Sequence, residues 1–383
     1  MNFAAESEMG EPRATPLYAA AATACATNSW TSVNGWASAR TYTAVEQEHR
    51  AASEDAALVD LGPLCRYTVR GAAAAELLAR LTTNPVGELS VGESARGLIL
   101  DSSGAVVDFA DVSRLSGDLF LLTSSGPIDR RLQLAARDFS AEVRNIGSMI
   151  AAIGVIGPAA RDAAAAAGLD ILSADATGQG RIRGVELAVR PVNFGAAAGV
   201  EIICPAEDAL VIWERLRRKR PLQPAGLDAL EILRIEGGSP RLGVDFLSAD
   251  RAPSAHRRLP DEIGLPHLAP PNRAWFNGRR AMKNAPPPRR RLLVLTADGD
   301  LVLPGAAVFA RSEPAGRVTS TAFSPRLRRA ICFAEIEAPA VGEGLLVQSP
   351  SGERIAAQLH ETPEGRLAAS FRDSLKAATD SRR

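Results

Sequence analysis

A glutamate, two aspartates and an Arg/Glu pair are the residues of this chain whose types and spacing could do chemistry. Glu201 lies in Val200-Glu-Ile-Ile203, just after the small-residue turn Gly195-Ala-Ala-Ala-Gly199. The apolar run reads as a strand that carries the carboxylate to one face, where it could accept two parallel N–H bonds. The plain alternative is an exposed strand carboxylate, the usual situation of glutamate. Asp108 and Asp111 flank Phe109 in Gly104-Ala-Val-Val-Asp-Phe-Ala-Asp-Val112. In a strand Asp111 shares the face of Phe109, displaced by roughly 7 Å along the chain. Arg234 and Glu236 interrupt an otherwise apolar stretch. They read either as an ion pair closing a helix end or as the support of a ligand pocket.

Other chemistries lack their signatures. His49, His256, His267 and His360 are scattered, with no i, i+4 pair, so no metal site is expected. Gly195–Gly199 has no following Lys-Ser/Thr to make a phosphate loop, and no serine-hydrolase elbow occurs. Cys25, Cys65, Cys204 and Cys332 are well separated, which suggests neither zinc nor a disulfide framework and fits a reducing compartment. Lys plus Arg equals Asp plus Glu, 44 each, so no global field favours nucleic acid or an anionic membrane. The basic runs at 215–220, 289–291 and 326–329 read as solvated faces. The first residues are acidic and polar, and no apolar run approaches the length of a membrane span. A soluble, cytoplasmic protein is expected.

The elements that must position these residues follow from periodicity. At 383 residues the chain is long for one core, and two or three domains are expected. Leu227, Leu230 and Leu233 mark a helix that Gly237-Gly238 stop and Pro240 keeps from restarting. A helix over Val45–Leu58 carries Glu46, Glu48 and His49 on its outer face. Strands are expected over 65–70, 97–101, 105–107, 111–115 and 119–124, with helices at 71–81 and 128–139. Further strands fall at 151–158, 183–194 and 199–204, with helices at 159–167 and 206–219. In the last of these, Leu210, Ile212 or Trp213 and Leu216 face inward. Pro286-Pro-Pro288 with Arg289–Arg291 is a linker, after which short strands with Gly and Pro turns suggest a small β-barrel.

Several motifs resemble one superfamily. Leu233-Arg-Ile-Glu-Gly-Gly-Ser-Pro240 resembles the "LRIEaGiP" signature of the folate-binding YgfZ family, relatives of the glycine cleavage T-protein (aminomethyltransferase). Thr15-Pro-Leu-Tyr18, Gly35-Trp36 and Val59-Asp-Leu61 resemble the T-protein N-terminus, in which Asp60 would begin a loop bordering the folate cavity. Gly316–Pro325 resembles the "G.vTS...SP" element of the C-terminal barrel. The resemblance covers about residues 14–365. It implies an α+β, three-lobed T-protein-like fold, with two α+β lobes around a central cavity and a C-terminal β-barrel. Residues 14–61 and 146–285 would form the first lobe and 62–145 the second. The barrel would be 286–370, with a disordered start at 1–13 and a flexible tail at 371–383.

The resemblance also implies tetrahydrofolate, or a reduced derivative, as the cofactor. Glu201 matches the glutamate that binds the pterin ring in that family. Phe194 replaces the tyrosine of "GYTGEDG.E", and Leu230 replaces the "ARD" arginine. In "GGviDDlIV" the first aspartate survives as Asp108, while Phe109 takes the place of the second, the one linked to catalysis. A phenyl ring cannot stabilise developing positive charge. Asp108 is therefore the remaining catalytic candidate, with Glu201, Phe194, Phe109, Leu230, Arg234 and Glu236 expected around the folate. The YgfZ motif "KGCYtGQE" appears as Arg273-Ala-Trp-Phe-Asn-Gly-Arg-Arg280, so Trp275 stands where that branch has its reactive cysteine. Trp275 and Phe276 read as packing at the barrel junction in preference to base stacking.

Three functions stay open at this level. One is a folate-binding accessory protein, tied by the YgfZ resemblance to iron–sulfur protein maintenance or tRNA modification and served by a protein partner. Another is a folate-dependent aminomethyl- or methyltransferase, with Asp108, Asp111 or Glu236 taking the polarising role. The third is a non-catalytic interaction module.

Overall fold

A computed structural model describes residues 3, 11–169, 177–273, 275–299, 301–341 and 344–380. In chain order, α1 (Tyr18–Ala24) and the hairpin β1 (Ser29–Val33) and β2 (Trp36–Thr41) lead to α2 (Val45–Glu54) and β3 (Ala57–Asp60). Then come β4 (Cys65–Arg70), α3 (Ala74–Leu81), β5 (Ser94–Leu100), β6 (Val106–Arg114), β7 (Leu119–Ser124), α4 (Asp129–Ala136) and β8 (Glu142–Asn145). The next group is β9 (Ile150–Ile156), α5 (Ala160–Ala166), β10 (Gly178–Ile182), β11 (Val185–Phe194), β12 (Ala197–Pro205), α6 (Ala209–Lys219), β13 (Gln223–Pro224) and α7 (Leu227–Gly237). After α8 (Arg279–Lys283) follow β14 (Arg290–Ala297), β15 (Ala307–Ala310), β16 (Glu313–Ser324), β17 (Arg329–Glu337), β18 (Leu345–Gln348), β19 (Arg354–Leu359) and α9 (Pro363–Asp380).

These elements make an α+β fold of two open sheets and a barrel. One sheet has the order β10-β11-β12-β9-β3-β13, the second β5-β6-β7-β4-β8, and β14 to β19 close a six-stranded barrel. The six-stranded sheet buries one face against α5 and α6, around Trp213, Ile212 and Leu216. Its other face meets α7 through Phe194, Leu230 and Leu233. In the five-stranded sheet, Tyr67, Val69, Phe120 and Leu122 pack under Leu77, Leu78 and Leu81 of α3 and Leu132 of α4. The opposite face looks toward the first sheet.

Helix α7 stops as its sequence predicts. Gly238 takes a left-handed φ of 78° at the C-cap, a conformation open to glycine at little cost. Gly237 serves a different need. A Cβ there would lie 2.1 Å from the Gly195 carbonyl carbon, so the β11–β12 turn rests on α7 by backbone contact.

Several elements differ from expectation. The helix expected over 45–58 ends at Glu54, and residues 57–60 form β3 instead, because that apolar run fills the middle of a sheet. Glu48 and His49 are buried, contrary to an outer-face placement. Glu48 accepts from the amides of Tyr42, Thr43 and Gly226, at 2.7, 2.7 and 2.8 Å, and so ties three segments together. The two short strands at 105–107 and 111–115 are one strand, β6, which Asp108 and Ala110 bridge from inside the core. In α6, Ile212, Trp213 and Leu216 are buried while Leu210 is exposed. The expected tail at 371–383 is helical in α9 as far as residue 380, and 381–383 lie outside the described residues. The expected disorder at 1–13 also falls mostly outside them; Phe3 is described, and buried. Among the described residues no helix is long and apolar enough to cross a membrane.

Candidate functional site

The register of the five-stranded sheet places a polar row across its inward face. Arg96 on β5 stands opposite Asp111 on β6, Asp111 opposite Thr123 on β7, and Thr123 opposite Arg66 on β4. Direct cross-strand partners point to the same side. Phe109, two residues from Asp111, shares this side, where it packs with Ile232 and Ile235 of α7 and with Phe246.

At one end of the row the two sheets are fastened together. Glu201 faces Arg190 across β11 and β12, and its side chain is 0% exposed. Both its oxygens are taken: Oε1 accepts from Nε and Nη2 of Arg66, and Oε2 from Nε of Arg190. Arg66 also donates to the carbonyls of Leu61 and Leu64 at 2.8 and 3.0 Å, and Arg190 to the Thr123 hydroxyl at 2.9 Å. Burial alone would raise the Glu201 carboxyl, but the Arg190 and Arg66 charges prevail and hold it below the ordinary range.

Along the row the side chains are occupied differently. Arg96 lies over the Phe109 ring at 5.3 Å and donates to Glu364 at 2.5 Å and to Ser239 at 3.2 Å. Phe109 is buried and meets Phe246 edge-on, with 6.1 Å between centroids. Asp111 is partly buried and, among the described residues, has neither a hydrogen-bond nor an ion-pair partner. Phe194 stacks on Phe3 at 6.1 Å in a separate apolar cluster with Leu230 and Leu121.

Asp108 points the other way. It lines a cavity of about 1490 Å³ on the α3/α4 side, together with Ile128, Leu242 and the 60%-exposed Trp275. Its carboxylate accepts from the amides of Phe109, Ser125 and Gly126 at 2.6, 3.1 and 3.0 Å. Burial still pushes its carboxyl up to about 7, against the pull of those N–H groups. Neither Glu201, Phe194, Phe109, Leu230, Arg234 nor Glu236 lines that cavity.

Arg234 and Glu236 do not pair with each other. Arg234 binds Glu231 and, at 2.7 Å, Asp245, whose other oxygen accepts from Thr319 and Ser320 at 2.6 Å each. Glu236 accepts from Ser324 at 2.5 Å and meets His49 and Arg326 at 3.3 Å each. Both side chains therefore bolt the end of α7 to β16 of the barrel. Asp60 holds Thr15 at 2.6 Å and its own turn at Gly62 at 2.8 Å.

The seven candidates are thus spread over three places. Glu201, Phe194, Phe109 and Leu230 are buried where the two sheets and α7 meet, Arg234 and Glu236 belong to the barrel junction, and Asp108 to the outer cavity. Sequence reasoning missed Arg66 and Arg190, the partners of Glu201. Their cationic character within apolar strands was the available signal. Burial pushes the Cys65, Cys204 and Cys332 thiols up to about 12, far from a reactive thiolate at neutral pH. Among the described residues no group of three or more His, Cys, Asp or Glu could hold a metal ion. Trp275 and Phe276 separate, the first exposed and the second packed against the barrel junction.

Comparison with known proteins gives a consistent set of likenesses. Residues 19–256 match the GCVT N-terminal domain, and residues 289–364 match the glycine cleavage T-protein C-terminal barrel domain. A probable aminomethyltransferase of Halobacterium salinarum is 30% identical over 335 residues, covering 83% of this chain and 90% of that protein. One of Haloarcula marismortui is 32% identical over 324 residues, covering 80% and 86%. The crystal structure of the glycine cleavage system aminomethyltransferase T from Bartonella henselae superposes with a TM-score of 0.81. It covers 92% of this chain and 98% of its own at 22% identity, a likeness of fold.

Proposed function

Because this chain belongs to the glycine cleavage T-protein (GCVT) family of aminomethyltransferases, we propose that it binds a reduced folate in a cleft opened between the two sheets and transfers a one-carbon group there, with Asp111 as the charged residue. The observation that carries this reading is the unpaired, partly buried carboxylate of Asp111 on the same face as Phe109. Its oxygens are not among the buried unpartnered atoms, so water reaches them, and a ligand nitrogen bearing a proton or a positive charge can take that place.

The donor set fits a tetrahydrofolate in part. Phe109 and Phe194 would supply apolar ring faces once Phe246 and Phe3, which now cover them, move aside. Glu201 has no free oxygen for pterin N–H groups while both arginines hold it. Asp111 is therefore the acceptor this chain presents to the ligand. When bound, tetrahydrofolate supplies nitrogens that accept a one-carbon unit. The protein's own residues orient it, exclude water with the phenyl rings, and set the Asp111 carboxylate beside a donor nitrogen as positive charge develops.

The accessory reading, of the kind the YgfZ resemblance implies, has Phe109 behind it. That ring occupies the position where the T-protein motif has an acid, and Arg96 stacks on it. Calorimetry with folinate, a formyl-tetrahydrofolate, tests the proposal. Asp111→Asn is expected to weaken binding about tenfold or more, since a hydrogen bond to a charged group contributes about 1.5–3 kcal/mol, while its thermal midpoint stays that of wild type. Wild-type protein that binds no folinate would overturn the proposal. Equal binding by both proteins would return Asp111 to the status of a surface residue and favour the accessory reading.

A further inference from the structure

Asp111 is free although an arginine stands directly across from it. Opposite charges in cross-strand register ordinarily pair, and the Cβ atoms of such partners are about 5 Å apart. Arg96 has the reach. Its guanidinium is instead turned to Glu364 Oε1 at 2.5 Å and Ser239 Oγ at 3.2 Å, and its buried Nε has no partner among the described residues. Glu364 is the second residue of α9 and is itself mostly buried. His267 Nε2 lies 3.1 Å from its other oxygen, which has no well-aligned hydrogen-bond donor among the described residues. Burial would raise the Glu364 carboxyl, yet Arg96 and His267 bring it down to about 2, so it is ionised at neutral pH.

We infer that Glu364 is a positioning residue, which engages Arg96 from the C-terminal helix and thereby keeps the Asp111 carboxylate unpaired and open to ligand. The inference rests on the proposed role of Asp111 in the cleft. Two anions compete for one guanidinium, and the one supplied by α9 wins because His267 and the buried setting fix it in place. With Glu364 neutral, Arg96 swings about its long stem to Asp111, its cross-strand partner. The cleft then presents an internal ion pair where it had presented an acceptor.

Full-length protein serves for the test, in two arms. In calorimetry with folinate, Glu364→Gln is expected to bind about tenfold more weakly than wild type. Adding Arg96→Met removes the competing cation and should bring affinity back to within about threefold of wild type. A purely structural role for Glu364 would make the double variant worse, and that result, or unchanged binding by Glu364→Gln, overturns the inference. The second arm needs no ligand: a crystal structure of Glu364→Gln. Arg96 within ion-pair distance of Asp111 supports the inference, and Arg96 left on Ser239 overturns it. If wild type binds no folinate, the function proposed for Asp111 falls, while the crystallographic arm still decides the competition for Arg96.

Discussion

Replacing Glu201 by Gln distinguishes a structural fastener from a ligand anchor. The side chain is 0% exposed, and the arginines it serves are 1% and 2% exposed. Arginine does not give up its proton, so Glu201→Gln leaves two buried cations facing one neutral amide, whose NH₂ is a further donor. Breaking a buried ion pair from one side costs about 3–5 kcal/mol. Arg66 keeps its carbonyls of Leu61 and Leu64, and Arg190 keeps Thr123, which argues for the lower end, about 3 kcal/mol. Whole-protein stabilities are about 5–15 kcal/mol, so the loss is large.

Urea unfolding of both proteins from pH 3 to 8 measures it. The folded Glu201 carboxyl lies below its unfolded value, so its contribution is complete above the unfolded pKa of about 4.3 and fades as pH falls through the folded one. The gap between the proteins should hold from pH 5 upward and narrow as pH falls below the unfolded value. A variant within about 1 kcal/mol of wild type at pH 7 would refute this reasoning. If that stable variant had also lost folinate binding, Glu201 would be the ligand's anchor after all.

Other outcomes follow from the same geometry. Asp108 carries a carboxyl raised to about 7, so the folded state holds its proton more tightly than the unfolded chain, and stability falls as pH rises from about 4 to 7. Asp108→Asn should therefore gain thermal midpoint relative to wild type at pH 8 compared with pH 5, and an equal offset at both would contradict it. Gly237→Ala drives a methyl into the Gly195 backbone at 2.1 Å and should cost about 1–3 kcal/mol in urea unfolding, with no loss pointing to a turn that yields. Phe3→Ala vacates the space against Phe194 and should tighten folinate binding in calorimetry, while weaker binding would make Phe3 part of the ligand's wall.

How much of this was legible depended on the range of the signal. Short-range patterns served well: the leucine stripe of α7, its glycine stop, and the alternation that puts Asp111 on the face of Phe109 all reappear. Long-range pairing was invisible. Glu48 and His49 resemble any polar helix face until Gly226 and Glu236, 178 and 187 residues away, come to meet them. Glu201 read as an available acceptor because Arg66, 135 residues earlier, is brought to it only when two sheets dock. Arg234 and Glu236 read either as one helix-end pair or as the support of a ligand pocket, whereas each reaches a different part of β16. The motifs "LRIE" and "TS...SP" that carried the resemblance are the two sides of that junction, which explains why they occur together.

The ion triad around Glu201 has a mechanical consequence. The five-stranded sheet is joined to the rest of the molecule by two short neighbouring crossings, residues 61–64 and 146–149, which have the layout of a hinge. The facing wall does not flex separately, since the turn beside Phe194 rests on α7 by backbone contact. Away from those crossings, backbone hydrogen bonds from Asn277 to Arg80, from Ala249 to Val106, from Val106 to Arg258 and from Thr177 to Gly92 hold the lobe of the five-stranded sheet, and the bonds from Arg66 and Arg190 hold it beside them. Loosening the triad therefore frees only the end of the sheet beside the crossings, and amide exchange should quicken in β4 ahead of β5 and β6.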